Sequence, residues 1–155
     1  MVAGELTARV LAQFYLDRIS RLDQQGPALN AVIEVNPDAL QIPDGLDQAR
    51  SLGQLCGPLH GMPVLLKANI DTHDQVATTA GSVSLKDHHA AADAFIVKRL
   101  RGAGAIILGK TNLSAWANVR SEGSSSVWSG LGGQAHAFEW VGAVRIAPDL
   151  SVSIA

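Results

Sequence analysis

Residues 57–67 constrain the fold more than any other stretch. Gly57-Pro58-Leu59-His60-Gly61-Met62-Pro63 is a turn stiffened by two prolines and opened by two glycines, and it runs straight into Val64-Leu65-Leu66-Lys67. An apolar run this short, bounded by turn residues, reads as a buried strand, here ended by a lysine. Strands apolar on both faces belong to sheets covered on both sides, so the flanking chain has to supply helices.

With period two, Leu65 and Lys67 share one face and Val64 and Leu66 the other, which starts the ammonium in apolar surroundings. Desolvation disfavours the charged form and is one way to make a lysine a general base at neutral pH. Alternatively Lys67 reaches water at the strand's end or pairs with Asp71 or Asp74.

The remaining pattern is α/β. Thr7 caps a helix with apolar positions Val10, Leu11, Phe14, Ile19 and Leu22, ending near Gln25-Gly26-Pro27. A short strand is expected within 29–35, stopped by Asn36-Pro37, then a helix over 44–52, a loop over 71–82, a helix over 90–101 and a strand over 105–108. Thr111 or Ser114 caps a brief helix through Trp116. Residues 120–134 are rich in serine and glycine and fit an ordered loop or a linker. Val144 and Ile146, then Leu150, Val152 and Ile154, alternate around Pro148-Asp149 as two short strands would.

Composition bounds the function. The 155 residues make one domain with a core, and 47% apolar residues with 15 Gly and 6 Pro argue against both disorder and a pure helix bundle. A net charge of −2 provides no field to hold nucleic acid or an anionic membrane. Glu5, Arg9 and Asp17 interrupt any signal-peptide core, and no run approaches the roughly 18 apolar residues of a spanning helix. The one cysteine, Cys56, forms no internal disulfide and reads as a small buried thiol beside Leu55; a reducing cytoplasm is the default compartment.

Two lures can be set aside. Gly104 to Thr111 satisfies the spacing of a phosphate loop, but a helix precedes the first glycine and strand formers lie between the glycines. The five histidines, His60, His73, His88, His89 and His136, present no pair at metal-ligand spacing, so no metal is expected.

Gly57 to Asp71, then Thr78-Thr79-Ala80-Gly81-Ser82, Leu108-Gly109-Lys110-Thr111-Asn112-Leu113-Ser114, Trp116-Ala117-Asn118 and Ser124-Ser125-Ser126-Val127-Trp128-Ser129 together resemble the amidase signature family, and among its members the peptide-amidase-like bacterial ones. The resemblance runs from about Gly4 to Gln134. It implies a partial amidase-signature fold, a mixed β-sheet covered by helices, over 1–134, with 135–155 as a divergent tail that is a hairpin or disordered. It implies an amidase of the Ser-cisSer-Lys type with Lys67 as the base, mostly buried and facing the Gly81-Ser82 loop. Gly81, Ser82 and Asn112 are candidates for substrate-side loops.

The resemblance further implies a small amide or peptide-amide substrate and no cofactor. Both serines of that triad are expected downstream of Gln134, and Ser124 to Ser126 match an earlier loop. The chain is therefore expected to be an N-terminal fragment without activity of its own, preceded or not by a leader. The alternatives are the A subunit of a tRNA-dependent amidotransferase and a non-catalytic remnant or binding module. The sequence departs from the family where Ala68 replaces Asp, Val127 replaces Gly and Leu131 replaces Arg.

Overall fold

The computed structural model describes residues 6–119, 123 and 127–136. The tail strands expected around Pro148-Asp149 and the serines at 124–126 lie outside them. Helix α1, Ala8–Arg18, starts where the Thr7 hydroxyl accepts from the Val10 amide, and it continues as a π-helical segment over Ile19–Gln24. Its Ala8 and Arg9 amides also donate to the Asp47 carboxylate of α2, Gln41–Ser51, placing negative charge at a helix N-terminus. The helix is as expected, but its inward face is not: Ala8 and Ala12 are buried while Val10 and Phe14 are exposed. Close approach is the reason, since a Cβ on Gly61 would lie 2.7 Å from that of Ala8.

Among the described residues the main sheet has three strands in the order β1 (Val32–Val35), β3 (Ile106–Thr111), β2 (Pro63–Lys67). The β1–β3 pair is antiparallel and the β2–β3 pair parallel, so the sheet is mixed. Val64 pairs with Ile107 and Leu65 with Gly109, leaving Leu108 as the extra residue of a bulge. Asn36 covers that irregularity, its backbone amide donating to the Leu108 carbonyl and its Nδ2 to the Ile107 carbonyl, both at 2.9 Å.

Two apolar clusters flank the sheet. Leu108 packs with Ala12, Ile19 and Ala39 on the α1–α2 side, joined by Leu65. Leu66 and Ile107 pack with Val97 of α3, Phe95–Gly102, on the other side. Both faces of β2 are thus covered, as its apolar run demanded. Helix α3 begins five residues later than expected because 90–94 connects it to the loop below, the Ala94 amide donating to the Asp71 carbonyl.

A second, two-stranded element, β4 (Trp128–Ser129) with β5 (Gly133–Gln134), makes residues 128–134 an ordered hairpin. The expected helix through Trp116 is instead a tight turn over Ala115–Asn118 in which Trp116, Ala117 and Asn118 all take left-handed backbone, φ 54, 52 and 66°. Cys56 is exposed, contrary to expectation. It sits in the surface loop between α2 and β2, where its backbone amide, not its thiol, is the anchored group, donating to His60 Nδ1. Among the described residues no helix is long and apolar enough to cross a membrane.

Candidate active site

Strand β2 delivers Lys67 to its C-terminal end, half-buried, on the face of Leu65. The backbone around it is tightly held. The Ile70 amide closes a turn onto the Lys67 carbonyl at 2.9 Å, and the Ala68 amide donates to the Thr111 carbonyl at 3.1 Å. The Ala80 amide reaches the Ala68 carbonyl at 2.9 Å, which brings the 78–82 loop against the residue following Lys67. The Lys67 ammonium itself makes no hydrogen bond or ion pair among the described residues, neither with Asp71 nor with Asp74.

Gly81 is buried at φ 71°, and a Cβ there would lie 2.6 Å from that of Ser129, so only glycine lets the loop meet the hairpin. Its carbonyl accepts from the Leu131 amide, while the Ser82 amide donates to the Thr79 carbonyl. The Ser82 hydroxyl has no partner among the described residues.

Asn112 is buried and fully engaged. Its Nδ2 faces the carbonyls of Asn30, Gly132 and Gly133 at 3.1–3.3 Å, and its Oδ1 accepts from Ser129 Oγ and from the Leu113 amide. It clasps the β4–β5 hairpin to the end of β3, one residue beyond the partner of Lys67. Gly81 and Asn112 therefore meet at Ser129, and both attach to the end of the sheet that carries Lys67.

Beside this junction opens a cleft of about 410 Å³, lined by Asn69, Asp71, Thr78, Ala80, Trp116 and Val119 among others. Ala80, Trp116 and Ala117 line it with left-handed backbone, a conformation that costs an L-residue roughly 1–2 kcal/mol. The Trp116 amide donating to the Ala80 carbonyl ties the two strained segments together.

Sequence reasoning missed Lys110. Strand β3 does not stop at Leu108 but runs on through Thr111, which also removes the phosphate-loop reading of this segment. Lys110 is fully buried, and its Nζ donates to the Ile70 carbonyl and to Thr78 Oγ1. Burial pushes it below the ordinary lysine value of 10.5, while Asp74, Asp71 and Glu34 pull the other way. His60 is likewise structural: Nδ1 accepts from the Cys56 amide and Nε2 donates to the Leu46 carbonyl, which fixes one tautomer. Among the described residues, no three His, Cys, Asp or Glu side chains converge on a point that could hold a metal.

The departures from the family pattern leave physical traces. Val127 takes φ 56°, where glycine would be unstrained, and Ala68 is completely buried.

The amidase family model matches residues 11–131, and the chain belongs to the amidase signature family. Among solved structures, the native peptide amidase of Stenotrophomonas maltophilia superposes with a TM-score of 0.82 at 54% identity, covering 86% of this chain and 27% of that one. A putative amidase of Arthroderma benhamiae is 43% identical over 84% of the chain and 22% of its own length. The A subunit of the glutamyl-tRNA(Gln) amidotransferase of Salinispora tropica is 40% identical over 83% of the chain and 25% of its own length. The chain thus spans about a quarter of the length of the relatives it matches.

Proposed function

We propose that this chain is the base-bearing, N-terminal part of an amide hydrolase, with Lys67 as the proton acceptor of a Ser-cisSer-Lys triad whose two serines come from sequence outside these 155 residues. The observation that carries the reading is Lys67 itself. It stands at the C-terminal end of a strand covered on both faces, half-buried, its ammonium unpartnered among the described residues. An amine left without a partner in a rigid frame is ready to engage hydroxyls brought to it.

In such a reaction the Lys67 amine takes a proton passed by the middle serine from the nucleophilic one. The hydroxyl oxygen attacks the carboxamide carbon, the relayed proton passes to the nitrogen as the C–N bond breaks and the amine or ammonia leaves, and water then hydrolyses the acyl-enzyme to the acid, restoring the serine hydroxyl. Gly81, Ser82 and Asn112 frame the substrate side in this reading, Asn112 by fixing the hairpin rather than by offering a free amide. The substrate is a small amide or peptide amide. The higher identity to the peptide amidase than to the amidotransferase favours a stand-alone hydrolase over a component of a complex that works on charged tRNA.

The test is a graft. The 155-residue chain alone hydrolyses an amino-acid amide at background rate, because a base without a nucleophile has no covalent route. Residues 6–134 placed into the matching segment of the Stenotrophomonas maltophilia peptide amidase support turnover, and Lys67→Ala in that graft abolishes it. A graft that folds but is inactive with Lys67 intact, or one that stays active after Lys67→Ala, overturns the reading.

A further inference from the structure

Lys67 and Lys110 both stand at the C-terminal end of the sheet, but on opposite faces. Lys67 pairs with Thr111 on the side of α1, whereas Lys110 pairs with Leu66, whose side chain packs on α3. A fully buried ammonium is costly, and this one has no carboxylate of the described residues within ion-pairing distance. Of the carboxylates that act on it from further off, Asp74, Asp71 and Glu34, Asp74 is held by Arg101 at 2.5 Å and Glu34 accepts from the Ala77 amide at 3.0 Å. The contacts Lys110 does make are one backbone carbonyl, Ile70, at 2.5 Å and one hydroxyl, Thr78 Oγ1, at 3.2 Å.

Those two acceptors belong to the two segments that frame Lys67. Ile70 closes the turn back onto the Lys67 carbonyl, and Thr78 opens the loop whose Ala80 amide binds the Ala68 carbonyl. Because the Lys67 ammonium has no partner of its own among the described residues, what places it is where its side chain leaves the backbone, and hence whatever holds that turn.

We propose that Lys110 is a positioning residue for Lys67: acting from the far face of the sheet, it fixes the 67–70 turn and the 78–81 loop through the Ile70 carbonyl and the Thr78 hydroxyl. The consequence for catalysis rests on Lys67 being the base, but the positioning itself is measured without turnover.

The chain holds four lysines, Lys67, Lys86, Lys98 and Lys110, so lysine-selective ¹³C labelling gives four resolvable side chains. Lys110→Met and Thr78→Val are compared with wild type, with Thr78→Ser as the variant that keeps the hydroxyl and Lys98→Met as a surface control. The expected result is a displaced Lys67 ¹³Cε signal in Lys110→Met and Thr78→Val and an unmoved one in Thr78→Ser and Lys98→Met. Amide exchange at Ile70 and Ala80 is expected to rise about tenfold relative to Ile106 and Ile107, the amount one lost hydrogen bond allows.

If Lys110→Met does not fold, the Thr78 pair decides. An unmoved Lys67 signal in Thr78→Val, or exchange that rises equally across the sheet, overturns the proposal, since a role in general stability would act everywhere. A failed graft leaves this result standing, and a failed displacement here leaves the graft standing.

Discussion

Replacing Gly109 by alanine isolates the contact that brings β1 onto the sheet. A Cβ at this position would overlap the Glu34 carbonyl oxygen and lie 3.0 Å from the Val35 Cα. Non-bonded heavy atoms settle at about 3.5 Å, so β1 has to retreat by about 1 Å. Overpacking of this kind costs about 1–3 kcal/mol. The retreat also weakens the backbone bonds around the Val35–Gly109 and Glu34–Lys110 pairs, each worth about 1 kcal/mol. The expected loss is about 2–4 kcal/mol.

Urea unfolding followed by tryptophan fluorescence should then show the midpoint falling by about 1–2 M at unchanged slope, given slopes of about 1–3 kcal/mol/M. Gly45→Ala is the internal control. That glycine lies inside α2 with nothing within 4 Å of its would-be Cβ, so alanine there stabilises by about 0.5–1 kcal/mol. A Gly109→Ala midpoint within about 0.3 M of wild type would refute the close-approach argument; the slopes cited make that under about 1 kcal/mol.

Two further outcomes are expected. Since burial holds Lys110 below its ordinary value in the folded chain, the unfolded chain binds that proton more tightly in the interval between, and stability should rise with pH up to about 10.5. Melts of wild type and Lys110→Met across pH 7–10 should diverge accordingly, and a pH-independent difference between the two would contradict this. Asn112→Asp removes the donors to three carbonyls, so hydrogen exchange should show the β4–β5 hairpin losing protection while β2 keeps its own; uniform loss would contradict the clasp.

Strand β2 and the cap of α1 were legible because each is a local signal, an apolar run between breakers in one case and a hydroxyl before a helix in the other. Lys67 and Lys110 look alike in sequence, each closing an apolar run, and nothing local distinguishes a half-buried lysine from a fully buried one. The difference comes from the bulge at Leu108 and from Ile70 and Thr78, forty and thirty-two positions away. The extension of β3 was hidden for a related reason, since Gly109 and Lys110 break the apolar pattern that marks a strand. The hairpin was invisible because its hold is Asn112 and Ser129, polar side chains whose partners are carbonyls of glycine. Cys56 and the exposed side of α1 show the same limit: composition says what can be buried, and only packing says what is.

The strand order carries a consequence for synthesis. Of this sheet's strands the central one, β3, comes last in the chain, and among the described residues neither β1 nor β2 has another partner. β1 is complete at Val35 and β3 only at Thr111. At translation rates of about 5–20 residues per second, the first strand therefore waits about 4–15 s on the ribosome with its edges bare. Through that interval Val32, Ile33 and Val35 form a short extended apolar segment with nothing to pair with, open to capture by a chaperone or by the same segment of a neighbouring nascent chain.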